Sequence, residues 1–86
     1  MKSRTTRRFR DALAQLPFDV RQRAREAFWL WKRNPGHPSL YFKQIHGRAP
    51  VYSVRIALGW RALAVRSGDE YVWFWIGSHA DYDKVI

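Results

Sequence analysis

The pentapeptide NPGHP, Asn34 to Pro38, divides the chain into two stretches with different hydrophobic periods. Two prolines and a glycine cannot continue a helix, so the helical pattern before them must stop there. Upstream, apolar residues recur at helical spacing. From Leu40 onward they recur at every second position, the period of strands.

The first amphipathic stretch runs from Arg7 to Leu16, with Phe9, Ala12, Leu13 and Leu16 on one face, and Pro17 ends it. Asp19, with Gln22 three residues later, reads as the N-cap of a second helix. Along that helix Val20, Ala24, Ala27, Phe28 and Trp31 form one apolar stripe, while Arg21, Arg25 and Lys32 line the other side. Downstream, LYFKQI reads as a strand, HGRAP as a turn and VYSVRIA as a strand whose Tyr52, Val54 and Ile56 oppose Ser53, Arg55 and Ala57. Leu58-Gly59 and the SGDE turn at Ser67 to Glu70 lead into WRALAVR and YVWFWI. Links this short imply an antiparallel meander. Its apolar face needs the helices as cover. The expected fold is α+β: one domain over residues 1–86, an N-terminal helical hairpin packed on a twisted antiparallel sheet of about four strands.

The 86 residues include five Trp, five Phe and four Tyr, which give so small a domain a dense core. There is no cysteine, which excludes disulfides and thiolate zinc sites. The basic start MKSRTTRRFR lacks an apolar segment behind it, and no run suits a membrane span, so a soluble cytoplasmic protein is expected. The net charge of +9 is uneven: residues 1–50 hold twelve Lys/Arg against three Asp/Glu, and residues 51–86 hold four of each. Such a field attracts phosphate backbones or acidic proteins, and it equally serves as a solubilising surface.

Residues able to do chemistry gather at strand ends. Arg55 lies opposite Val54 and Ile56, and hairpin pairing brings Arg61 near it. Lys43 and His46 belong to the first strand and its end, Arg48 to the following turn, and His79 and Tyr82 follow the last strand. Guanidiniums hold phosphate, aromatic rings stack on bases, and His or Tyr moves protons, so the set suits a single-stranded polynucleotide. Plainer roles stand beside these: Arg55 and Arg61 as solvated residues or partners of Asp69, Asp81 or Asp83, His79 as a cap or packed ring, and Tyr82 closing the core. His37, between Gly36 and Pro38, reads as structural. The Trp73-Phe74-Trp75 run alternates faces, so at least one ring lies outside the helix-covered core. No metal-ligand spacing, phosphate-binding glycine loop or Ser-His-Asp motif is visible.

Four segments in this order resemble the RelE/ParE toxin superfamily: ALAQLP, NPGHPSLYFKQIHG, YSVRIALGWRALAV and WFWIGSHADYDKVI. The resemblance implies a toxin of a type II toxin–antitoxin system. For RelE-type members that means a metal-independent mRNA endoribonuclease, commonly acting in the ribosomal A site, that needs no cofactor. The RNA 2′-hydroxyl attacks the adjacent phosphate and leaves a 2′,3′-cyclic phosphate. On the match, Arg61 is the phosphate stabiliser and Arg55 a second cation. His79 is the acid or base, as in the YafQ branch, and Tyr82 supports it. Lys43, His46 and Arg48 would hold the RNA backbone. A cognate antitoxin is implied, laying an acidic amphipathic segment over the basic helices or the open sheet face, with no membrane partner. Ser53 stands where RelE proper has a second basic residue, and Ala80 and Asp81 stand where it has an arginine. The C-terminal helix of some members is not expected. These departures match the alternative of a ParE-like protein that inhibits DNA gyrase by binding, or of an inactive relative.

Overall fold

The computed structural model describes residues 2–45 and 50–85. Its elements are β1 (Lys2–Thr5), α1 (Arg7–Ala14), α2 (Phe18–Arg33), a 3-10 turn (Pro38–Leu40), β2 (Lys43–Gln44), β3 (Val51–Ala57), β4 (Trp60–Ser67), β5 (Glu70–Ser78) and α3 (His79–Val85). The sheet has five strands in the order β1-β5-β4-β3-β2. β2 to β5 form the expected antiparallel meander, and β1 adds a parallel edge strand beside β5.

β1 escaped the sequence reading because its side chains, Lys2, Ser3, Arg4 and Thr5, carry no apolar pattern. Its backbone supplies the bonds instead. Lys2 N–H donates to the Asp69 carbonyl at 3.2 Å, and just past the strand Thr6 N–H donates to that of Trp73 at 3.0 Å. Arg4 also pairs with Glu70 at 3.3 Å. The hydroxyl of Thr6 then accepts the Phe9 N–H at 3.0 Å and starts α1. α1 ends at Ala14, two residues before the expected Leu16, through tight bonds from Gln15 and Leu16 back to Ala12 and Leu13.

α2 starts one residue before the expected cap. Pro17 takes the N-cap position with no side-chain bond, and Asp19 lies in the first turn. There its charge still favours the positive end of the helix, as Lys32 and Arg33 do the negative end. The stripe of α2 meets the sheet as expected. Trp31, 1% exposed, lies within ring contact of Phe28, Phe42, Tyr71 and Trp73, most of them edge-on. After α2, His37 caps the 3-10 turn, its Nδ1 accepting the Ser39 N–H at 3.2 Å. The expected strand over Leu40 to Ile45 shrinks to Lys43–Gln44, because Leu40 closes that turn and Tyr41 adopts a left-handed backbone with φ 47°. A non-glycine residue there costs roughly 1–2 kcal/mol.

The strand pair β4–β5 carries a bulge. Leu63 faces Trp75 and Ala64 faces Trp73, so Phe74 has no opposite residue. Trp73 therefore points to the helices, while Phe74 and Trp75 both point to the far side. Simple alternation across this run is broken, and two rings lie outside the helix-covered core. On the far side they join Ile45, Val51, Leu63 and Tyr82 in a second cluster. α3 covers that cluster, so the chain does possess a short C-terminal helix. Its apolar signal is weak, since Tyr82 is the one buried residue of seven. Gly77 makes its packing feasible: a Cβ there would meet the Trp75 ring at 2.7 Å. Among the described residues no helix is long and apolar enough to cross a membrane.

Trp31→Ala should lose about 3–5 kcal/mol in urea denaturation, enough to unfold much of so small a domain. Gly77→Ala should cost about 1–3 kcal/mol, because the rigid indole must shift to admit the methyl group. A cost near zero at Gly77 contradicts the packing described.

Candidate functional site

The sheet face away from α1 and α2 assembles its polar groups by register. Arg55 of β3 pairs with Arg61 of β4, and Arg61 pairs with Gly77 of β5. Paired residues share a face, so the two guanidiniums start from neighbouring strands on the same side. One row along, Lys43, Ser53, Leu63 and Trp75 align in the same manner.

β5 ends at the β3–β4 turn, where Gly59, with φ 83°, supplies a carbonyl that accepts the His79 N–H at 2.7 Å. The hydroxyl of Ser78 accepts the Asp81 N–H at 3.1 Å and starts α3. His79 is thereby held over β4. Arg61 Nε donates to His79 Nδ1 at 3.3 Å, and the Arg61 guanidinium carbon lies 5.3 Å from the Tyr82 ring centre. The His79 and Tyr82 rings are nearly parallel at 6.1 Å, with Trp75 beyond Tyr82 at 6.3 Å. Tyr82, 7% exposed, is the floor on which the other two rest.

These contacts select a tautomer. An arginine N–H can only donate, so Nδ1 of a neutral His79 is the acceptor and its proton resides on Nε2. Nε2 faces Asp83 Oδ2 at 3.7 Å, in ion-pair rather than hydrogen-bond range. Asp83, considered above as a partner of Arg55 or Arg61, instead faces the imidazole. Asp81 pairs with Lys84 at 3.9 Å.

Arg55 takes a different direction. Its guanidinium carbon lies 5.1 Å from the Tyr41 ring centre, so aromatic contacts draw the two arginines to opposite sides. Neither pairs with a carboxylate among the described residues. Two like charges on adjacent strands repel, and a shared anion would offset that repulsion.

The structure thus gathers Arg61, His79 and Tyr82 closely, sets Arg55 beside them on the next strand, and leaves Lys43 exposed on β2. Ser53, at the position expected to be basic in nucleases, is fully buried, and its hydroxyl has no hydrogen-bond partner among the described residues. His46 and Arg48 lie outside the described residues. Two contributors eluded the sequence reading. Tyr41 follows a helix-like turn, and nothing in SLYF signals its left-handed backbone. Asp83 could have been found from its i,i+4 spacing to His79 once α3 was known. No group of three or more His, Cys, Asp or Glu able to hold a metal gathers among the described residues.

Several solved structures share this architecture. A chain of the RelB–RelE antitoxin–toxin complex of Methanococcus jannaschii superposes with a TM-score of 0.76 at 16% identity, over 95% of this chain and 96% of its own. The YoeB/ParE toxin of Agrobacterium tumefaciens gives 0.70 at 19%, over 92% and 99%. The isolated RelE toxin of E. coli gives 0.69 at 12%, over 98% and 94%. At these identities the likeness is one of fold. No curated protein matches the sequence. The sequence model of the ParE-like toxin domain matches residues 19–84, which include nearly all of α2, every element from the 3-10 turn through β5, and nearly all of α3. The chain belongs to that family, within the RelE/ParE toxin superfamily.

Proposed function

We propose that this protein is a toxin of a type II toxin–antitoxin pair that blocks translation by cutting mRNA. One observation carries the reading: Arg55 and Arg61, without carboxylate partners among the described residues, share one sheet face on adjacent strands, and Arg61 donates to the Nδ1 of His79. A phosphodiester supplies the missing anion. In the proposed reaction the phosphate draws the Arg61 guanidinium away from His79 Nδ1, and Nδ1 takes the proton of the RNA 2′-hydroxyl. The O2′–P bond forms and the P–O5′ bond breaks, leaving a 2′,3′-cyclic phosphate. Arg61 and Arg55 offset the charge that builds on the phosphorane oxygens. Asp83 steadies the imidazolium, O5′ leaves with a proton from water at this open site, and the hydroxide so formed takes the proton from Nδ1, which returns the ring to its neutral state. Tyr82 acts by position, as the surface carrying Arg61 and His79, and Lys43 holds backbone phosphate. No step calls for a metal.

A cognate antitoxin is the proposed partner, in line with the RelB–RelE neighbour being an antitoxin–toxin complex, and the side of the molecule away from the arginines offers it a surface. Between α1 and α2 lies an apolar groove of about 380 Å³ floored by Val54, Ile56 and Trp73 and edged by Arg10, Arg21 and Arg25. An acidic amphipathic segment suits that lining.

A second reading draws on Ser53: burial of a small residue where nucleases carry a cation favours a ParE-like protein that binds and inhibits a topoisomerase. Translation and gyrase supercoiling assays run side by side separate the two, since each reading expects inhibition in one only. On the nuclease reading, purified protein cleaves mRNA, alone or on ribosomes, and leaves 2′,3′-cyclic ends. His79→Ala should lower the cleavage rate roughly 100-fold or more while the melting curve barely moves, because the ring is largely exposed. Asp83→Asn should lose less. Full activity of the His79→Ala variant removes the imidazole from the mechanism.

A further inference from the structure

Tyr41 combines three properties that its place in the chain does not require. Its backbone is left-handed, with φ 47° and ψ 40°, where glycine or asparagine is ordinarily found. Its side chain is large and 56% exposed, and no other aromatic ring lies against it among the described residues. Its ring carries the Arg55 guanidinium at 5.1 Å. A residue held in a disfavoured conformation to present an exposed ring points toward a ligand rather than toward the core.

The surroundings indicate which ligand. Lys43 follows two residues later and shares the sheet face of Ser53, Arg55 and Arg61. From β2 to β4 the cations Lys43, Arg55 and Arg61 step across two strand spacings, about 10 Å in all. An aromatic ring at the end of a row of cations is the pairing used for single-stranded nucleic acid: charge follows the backbone, and the ring stacks on a base. A guanidinium on one face of the phenol leaves the other face for the base and adds its own cation–π attraction.

We propose that Tyr41 is a base-stacking site for single-stranded RNA, seating a nucleotide next to the phosphate held by Arg55 and Arg61. This rests on the ribonuclease reading and assigns it a substrate-positioning residue outside the cluster at α3. Stacking tolerates any base, so the site fixes where the strand lies rather than which sequence is cut. Tyr41 therefore acts on affinity, without taking part in proton transfer.

The test uses the full chain and a labelled 2′-O-methyl RNA hexanucleotide, which binds but lacks the nucleophile for cleavage. Tyr41→Phe should bind as the unmodified protein does. Tyr41→Gly and Tyr41→Asn should bind about tenfold more weakly, the size expected for one lost base stack. They should melt no lower, since both residues accept the left-handed backbone. The dependence of their affinity on salt should run parallel to that of the unmodified protein, because no ionic contact is lost. Lys43→Ala, by contrast, should flatten it by about 0.7 in logarithmic slope. If Tyr41→Gly binds the hexanucleotide as tightly as a chain that itself binds and cleaves RNA, the stacking site is wrong and the nuclease reading stands. If the unmodified protein neither binds nor cleaves RNA, both fall together.

Discussion

The arrangement of the far face depends on a single extra residue in β5. Because Phe74 has no partner across β4, Trp75 turns to the side away from α1 and α2, beside Leu63. That provides an apolar surface on a face that strict alternation would leave with one ring fewer. α3 is only seven residues long and cannot persist in water by itself. It persists because Tyr82 buries against Leu63 and Trp75. With Tyr82 seated, His79 lies over Arg61, and the polar cluster follows from the packing beneath it.

Much of this was legible in the sequence, and the reason is periodicity. The Val20-to-Trp31 stripe and the alternating β3 pattern each specify which side is buried. Turns of two residues then leave little freedom in pairing, so a shared face for Arg55 and Arg61 followed directly. What stayed hidden lacked a periodic signature. β1 is held by backbone bonds and one ion pair, neither of which needs an apolar residue. α3 buries one side chain, too few to mark a helical face. The bulge leaves Trp-Phe-Trp looking like an ordinary strand, because only the partner strand reveals which residue is unmatched. Tyr41 was hidden for the opposite reason: its conformation contradicts its own preference.

The two faces of the sheet divide the labour of the molecule. One is closed by helices over a core centred on Trp31, with an apolar groove left between α1 and α2. The other is covered in part by α3 over the smaller cluster at Leu63 and Trp75, and its arginines are held by aromatic surfaces: Arg61 over Tyr82 and Arg55 over Tyr41. Such contacts orient a guanidinium without neutralising it. A carboxylate in either place would have left no charge for a phosphate. This is the feature on which the proposed polyanion-binding role chiefly rests: among the described residues neither Arg55 nor Arg61 makes an ion pair.

The contact between Arg61 and His79 joins the fold to the proposed chemistry, and the protonation of the imidazole reports on that contact directly. Long-range proton–nitrogen correlation spectra of the His79 ring, recorded where the ring is neutral, should show the proton on Nε2 and a bare Nδ1. That preference should weaken in Arg61→Ala. A neutral ring protonated on Nδ1, or a tautomer mixture indifferent to the loss of Arg61, would contradict the arrangement.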